Sequence, residues 1–107
     1  MATTPQQIAI AVGTSNTDLY SAFTGGATRA VLVSLDLTNT TAADITVDVW
    51  LEVSGPTVLE FGDDLVVPAK GSSTWRGAIT MDASGEKIRA IASAAGVDAV
   101  GTVIENA

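Results

Sequence analysis

The 107-residue sequence contains no cysteine and no histidine. Without cysteine the chain can form neither a disulfide nor a thiolate metal site. Without histidine it lacks the commonest general base and the commonest metal ligand, which excludes Ser-His and Cys-His catalytic pairs. We therefore expect a protein that is not an enzyme and that needs no metal and no other cofactor.

Charged residues are also scarce, and basic residues are the scarcest. Only 16% of the residues are charged, with 12 acids against 5 bases and a net charge of −7. Phosphate backbones and anionic lipids repel so acidic a chain, so we expect neither a nucleic-acid partner nor a membrane partner. A low charge density is typical of a surface that other subunits cover, and also of a β-sandwich coated with Thr and Ser. Composition leaves both alternatives open.

Long hydrophobic runs are missing as well. No stretch approaches the roughly 20 apolar residues that a membrane helix needs, and residues 1–7 contain neither a basic residue nor a signal-peptide core. We expect the protein to be made in a cytoplasm and kept there unless it leaves as part of a particle. The polar, proline-containing segment 1–6 predicts a flexible N-terminal arm, and residues 7–107 predict a single domain.

The most regular part of the sequence is the stretch from Thr28 to Val53. Two runs of alternating apolar and polar residues, typical of half-buried strands, flank a short polar break at residues 39–43. The first run predicts one buried face: Val31, Val33, Leu35 and Leu37. Leu32 falls on the opposite face, and so does Trp50 in the second run. The break predicts that the two strands form an antiparallel hairpin.

Turn-forming residues recur along the rest of the chain every 8–12 residues and separate eight or nine short runs. This spacing predicts an all-β fold, a two-sheet antiparallel sandwich of jelly-roll or Greek-key type with about eight strands. Residues 86–93 also allow a helix, but their alternation favours a strand. The last run, residues 97–105, is apolar on both faces, which is typical of a strand that is central in its sheet or packed against a partner.

Few side chains suggest chemistry. Lys70 is followed by two serines, but it stands in a Pro-Gly turn where nothing would lower its pKa. Carboxylates cluster at Glu60, Asp63 and Asp64, yet the spacing of an EF-hand loop is absent. We interpret these groups as solvated turns, and we predict no catalytic, cofactor-binding or metal-binding residues.

A protein interface is the better prediction, because several large apolar residues fall on the polar face of their strands. These residues are Trp50, Leu32, Ile91 and Ile104. Exposed aromatic residues are enriched at interfaces, although a loop that covers Trp50 would explain it equally well. The N-terminal residues Thr3, Thr4 and Pro5 complete the predicted interface, as an arm that packs on a neighbouring subunit.

Three segments between Asp18 and Glu105 form a familiar series of motifs. They are D-L-Y-S-A-F-T-G-G-A-T-R-A-V-L-V-S-L-D-L-T-N-T-T-A-A-D-I-T-V-D-V-W-L, L-V-V-P-A-K-G-S-S-T-W and G-E-K-I-R-A-I-A-S-A-A-G-V-D-A-V-G-T-V-I-E. Together they resemble the small β-sandwich virion proteins of tailed bacteriophages. The resemblance implies a structural role in a virion that is assembled in the host cytoplasm.

On that basis we expect a capsid decoration (cement) protein that stabilises the head by binding between capsomers. Its partners would be the major capsid protein or other virion proteins, and it would be a homo-oligomer, with a trimer favoured. The alternatives are a neck, adaptor, tail or fibre protein. A carbohydrate-binding adhesion module, with Trp50 between Asp48 and Glu52 as a sugar platform, is the alternative from another class.

Overall fold

The computed structural model describes residues 3–23, 27–53, 58–83 and 85–106, with the backbone alone for residues 3, 4, 58–61 and 63. These residues form eight β-strands, with no helix among them. The strands are β1 (Thr3–Val12), β2 (Thr17–Ser21), β3 (Arg29–Asn39), β4 (Ile45–Glu52), β5 (Val58–Val67), β6 (Ser72–Met81), β7 (Lys87–Ala92) and β8 (Val97–Asn106). The predicted all-β class is confirmed, and residues 87–92 form a strand, as the alternation indicates.

The strands pair as if one long hairpin had been folded around a core. β1 pairs with β8, β2 with β7, β3 with β6 and β4 with β5, all antiparallel. Two further pairs, β3 with β8 and β4 with β7, complete two four-stranded sheets. Sheet I has the order β1-β8-β3-β6 and sheet II the order β2-β7-β4-β5. This is the connectivity of a jelly roll, so the predicted two-sheet antiparallel sandwich is confirmed.

The predicted hairpin between the third and fourth strands is wrong, because β3 lies in sheet I and β4 in sheet II. Asn39, only 1% exposed, holds the chain where it crosses between the sheets. Its Nδ2 donates to the carbonyls of Ala43 at 2.7 Å and Val67 at 3.0 Å. Its Oδ1 accepts from the Thr41 amide at 2.8 Å and from the Thr41 hydroxyl at 2.7 Å. The polar break is therefore a side-chain-bonded crossover and not a hairpin turn.

The predicted outward position of Leu32 is also wrong. Leu32 is fully buried in the core, and Val31 and Val33 are only half-buried. The register of β3 shifts between Leu32 and Ser34 against both of its neighbours. An extra residue in a strand reverses the faces of the side chains that follow it. Leu32 before the bulge and Leu35 after it therefore point to the same core.

The first and last strands, β1 and β8, both lie in sheet I. β1 begins at Thr3, so the strand starts within the segment predicted as an arm, and residues 1 and 2 of that segment lie outside the described residues. β8 lies between β1 and β3. This central position is one of the two situations that the apolar pattern of residues 97–105 predicts. The inner faces of the two sheets enclose a single cluster of buried apolar side chains.

Candidate assembly surfaces

The outer face of sheet II carries a network of paired charges centred on Arg89 of β7. The Arg89 Nε lies 2.7 Å from Oδ1 of Asp18 on β2, and its Nη1 donates to Oε2 of Glu52 on β4 at 2.9 Å. The Lys87 Nζ lies 3.7 Å from Oδ2 of the same Asp18. The hydrogen bond to Glu52 raises the pKa of Arg89 above its usual value, so the guanidinium stays charged. These contacts pair the four charged groups within one copy, although the Arg89 Nε forms no hydrogen bond at this geometry.

Trp50 lies on the same face as this network of charges, opposite Arg89 in the register of β4 and β7. Its side chain is only 8% exposed, although it lies outside the central core cluster. The indole is thus shielded within one copy, which is the second of the two alternatives that the sequence leaves open for Trp50. Its predicted sugar-platform neighbours are also engaged, since Glu52 pairs with Arg89 and the Asp48 Oδ1 accepts from the Asp64 amide at 2.7 Å.

The outer face of sheet I is different in character. Ile104 of β8 lies opposite Pro5 of β1 on one side and Val31 of β3 on the other. Ile104 and Val31 are half-buried and Pro5 is exposed, so the three form an apolar row across the sheet. Farther along β8, Val100 is 43% exposed. We call the outward-facing residues of β1, β8, β3 and β6 the sheet I face.

The structure divides the predicted interface residues among three places. Pro5 and Ile104 are neighbours on the sheet I face, and the backbone of Thr3 and Thr4 belongs to the same end of β1. Trp50 and Ile91 lie on the opposite side of the molecule, on the outer face of sheet II, where Ile91 is half-buried opposite Asp48. Leu32 lies between the sheets in the core.

Two apolar residues of the sheet I face, Val31 and Val100, are absent from the predicted set. The sequence pattern predicts Val31 in the core, because the β3 bulge is not visible in the sequence. The outward position of Val100 can be predicted from the sequence, since residues 97–105 are apolar on both faces. With β8 central in its sheet, its second apolar face has to point outward.

The described residues offer little that resembles a catalytic site. They include no group of three acidic side chains placed to hold a metal ion. The Lys70 Nζ donates a hydrogen bond to the Thr40 carbonyl at 2.9 Å, so Lys70 stabilises a turn. Among the residues whose side chains are described, Tyr20 and Glu105 form a buried titratable pair, in which the phenol donates to the carboxylate. Burial, reinforced by that hydrogen bond, raises the pKa of Tyr20 well above its usual range, so the phenol keeps its proton.

Among the residues that the structure describes, no helix is suited to crossing a membrane.

Comparison with known proteins shows the fold and no family. No family model matches the chain, and no curated protein matches it in sequence. A chain of the T13 IBDV viral particle superposes with a TM-score of 0.65 and 8% identity, over 96% of this chain and 31% of that one. A chain of infectious bursal disease virus Gx strain superposes with a TM-score of 0.59 and 11% identity, over 97% of this chain and 32% of that one. The present chain thus spans about a third of the length of these two chains, and it shares its fold with components of virus particles.

Proposed function

We propose that the protein is a structural component of a virion, and specifically a capsid decoration protein of a tailed bacteriophage that binds between capsomers. The observation that supports this role best is the superposition of 96% of the chain on part of a chain from a virus particle. The decoration role and the phage origin rest in addition on the resemblance of the sequence from Asp18 to Glu105 to small phage virion proteins.

The mechanism that fits this fold is binding without reaction. The jelly roll encloses its own apolar core, and its crossover at Asn39 is fixed by four side-chain hydrogen bonds. A module of this kind presents rigid faces, and binding to preformed faces costs little ordering of either partner. The partners would be the major capsid protein or other virion proteins.

A neck, adaptor or tail protein is the alternative within the same class, and copy number separates the two. A protein that decorates a shell follows the symmetry of the shell and is present in hundreds of copies per particle, whereas a neck component is present in about a dozen. The carbohydrate-binding alternative is disfavoured, because stacking on a sugar needs an exposed aromatic face and Trp50 is only 8% exposed.

The experiment is quantitative mass spectrometry of particles purified by density gradient from cells that produce this protein. We expect the chain to co-purify with the particles at hundreds of copies, in a fixed ratio to the shell protein. A ratio near a dozen per particle would move it to the neck or tail. Absence from particles that are otherwise complete would refute the virion role.

A further inference from the structure

The sheet I face is electrically neutral in a strongly acidic protein. Among the four strands of this sheet, four charged side chains point outward: Arg29, Asp36, Arg76 and Asp98. Glu105, the remaining charged residue of these strands, is buried on the inner side. Two bases and two acids give the face a net charge of zero, while the whole chain carries −7. Two copies that repel elsewhere can therefore approach through this face.

None of these four side chains forms an ion pair with another described residue. On the outer face of sheet II the opposite holds, since Asp18, Glu52, Lys87 and Arg89 are paired with one another. The charges of the sheet I face are thus available to pair with charges from outside the chain.

The order of the charges along the strands makes the face complementary to itself. In the register of sheet I, Arg29 lies level with Asn106 at one end of the face, and Arg76 lies level with Thr102. Asp36 lies level with Val100, and Asp98 is nearest to the other end. Both bases therefore occupy one half of the face and both acids the other. A two-fold axis in the plane of the interface and perpendicular to the strands brings the basic half of one copy onto the acidic half of the other.

The size and the apolar content of the face suit the same arrangement. Four strands spaced by about 4.8 Å, with about ten residues rising about 3.4 Å each, present a flat area of roughly 600 Å². Standard interfaces bury about 800 Å² of accessible surface per partner, and pleated side chains give a face more accessible surface than its flat area. The apolar contacts would come from Val100 and from the row that contains Pro5, Ile104 and Val31.

We infer that the sheet I face joins two copies of this chain, packed face to face about a two-fold axis, with Asp36 of each copy near Arg76 of the other. The inference concerns the isolated chain and does not rest on the virion role. For this contact we expect a dimer and not the trimer that the sequence analysis favours, because a two-fold axis is the operation that exchanges the two halves of the face.

The test is sedimentation equilibrium and native mass spectrometry of the purified chain at micromolar concentrations. We expect a dimer. Asp36→Arg and Arg76→Asp should each raise the dissociation constant at least tenfold, because each places like charges opposite one another twice. An equimolar mixture of the two variants should form a heterodimer close to wild type in affinity, because both contacts are then restored. Val100→Lys should also dissociate the dimer.

Asp82→Arg, at an exposed position between β6 and β7, is the control for the change in net charge and should leave the dimer intact. Circular dichroism and thermal melts of every variant separate loss of pairing from loss of folding. A monomer at all concentrations would overturn the inference. A trimer, or a dimer insensitive to Val100→Lys and to both charge reversals, would overturn it equally. A monomer that still binds particles would overturn it while leaving the proposed virion role intact.

Discussion

Tyr20 of β2 donates its phenolic hydrogen to the carboxylate of Glu105 on β8, so this hydrogen bond connects sheet II to sheet I through the interior of the sandwich. The two side chains are 7% and 3% exposed. A buried carboxylate is costly to desolvate unless it accepts hydrogen bonds. The phenol therefore offsets part of the cost of placing Glu105 on the inner face of the last strand.

Replacing this phenol should destabilise the fold. Tyr20→Phe keeps the ring and removes the donor, and hydrogen bonds to charged groups contribute about 1.5–3 kcal/mol. We expect a loss of about 2 kcal/mol in the free energy of unfolding, measured by urea denaturation. Tyr20→Phe combined with Glu105→Gln should lose less than the two single variants added together, because the two residues share one interaction. Strict additivity would show that the pair is not coupled.

The same phenol predicts how stability changes at alkaline pH. Folding raises the pKa of Tyr20 above the value of about 10 expected for an unfolded chain. Below pH 10 the phenol is protonated in both states and its contribution is fully present. Above pH 10 the unfolded state loses this proton first, so stability falls as pH rises, by at most about 1.4 kcal/mol per pH unit from this group. Urea midpoints between pH 9 and 11.5 should show a steeper fall for wild type than for Tyr20→Phe, and equal slopes would contradict this account.

The class of the fold could be predicted from the sequence because alternation and turn residues are local signals. The pairing of the strands could not. The polar break at residues 39–43 is as compatible with a hairpin as with a crossover. Asn39 connects it to a distant part of the chain, because its side chain donates to the Val67 carbonyl and its backbone amide donates to the Gly71 carbonyl.

The faces on which the predicted interface residues lie can be derived from the sequence only in part, because strand irregularities are not visible in it. Ile104 was placed outward correctly, because β8 alternates without interruption over ten residues. Leu32 was misplaced, because a bulge changes the face of a strand without changing its composition. Gly101 on the neighbouring strand β8 accommodates that bulge, because a Cβ at this position would overlap the Ser34 carbonyl. A single glycine in a strand indicates a close approach, but it does not indicate which strand approaches.

The Asn39 crossover should be among the most sensitive positions outside the core. Asn39→Ala removes two bonds to carbonyls and two bonds from Thr41, and it leaves buried polar groups without these partners. We expect a loss of about 3 kcal/mol in chemical denaturation. Thr40→Ala, which removes an exposed hydroxyl bonded to the Gly96 carbonyl, is the neighbouring control and should cost less than about 1 kcal/mol. Similar losses for the two variants would argue against a special role for Asn39.

Two glycines with positive φ allow backbone strain to be separated from steric overlap. Gly96 has φ +120° and a Cβ there would overlap the Thr41 Cγ2, while Gly85 has φ +94° and open space around it. Gly85→Ala should cost about 1–2 kcal/mol from backbone strain alone. Gly96→Ala should cost more, and Thr41→Ser, which removes the methyl group and keeps the hydroxyl, should recover the difference in the double variant. Equal melting temperatures for Gly85→Ala and Gly96→Ala would show that the overlap relaxes without cost.

Trp50 gives the clearest contrast between an interface residue and a structural one. An exposed interface residue can be truncated without loss of stability. Trp50, which lies opposite Arg89, is only 8% exposed in a single copy. Trp50→Ala should therefore cost about 3–5 kcal/mol in urea denaturation, as truncation of a buried aromatic does. Val66→Ala, at a position of β5 that is 54% exposed, is the matched truncation outside the sheet I face and should cost less than about 1 kcal/mol. If Trp50→Ala instead kept wild-type stability, the indole would contribute nothing to the stability of the fold. The prediction that Trp50 is an interface residue would then be favoured over the structural role.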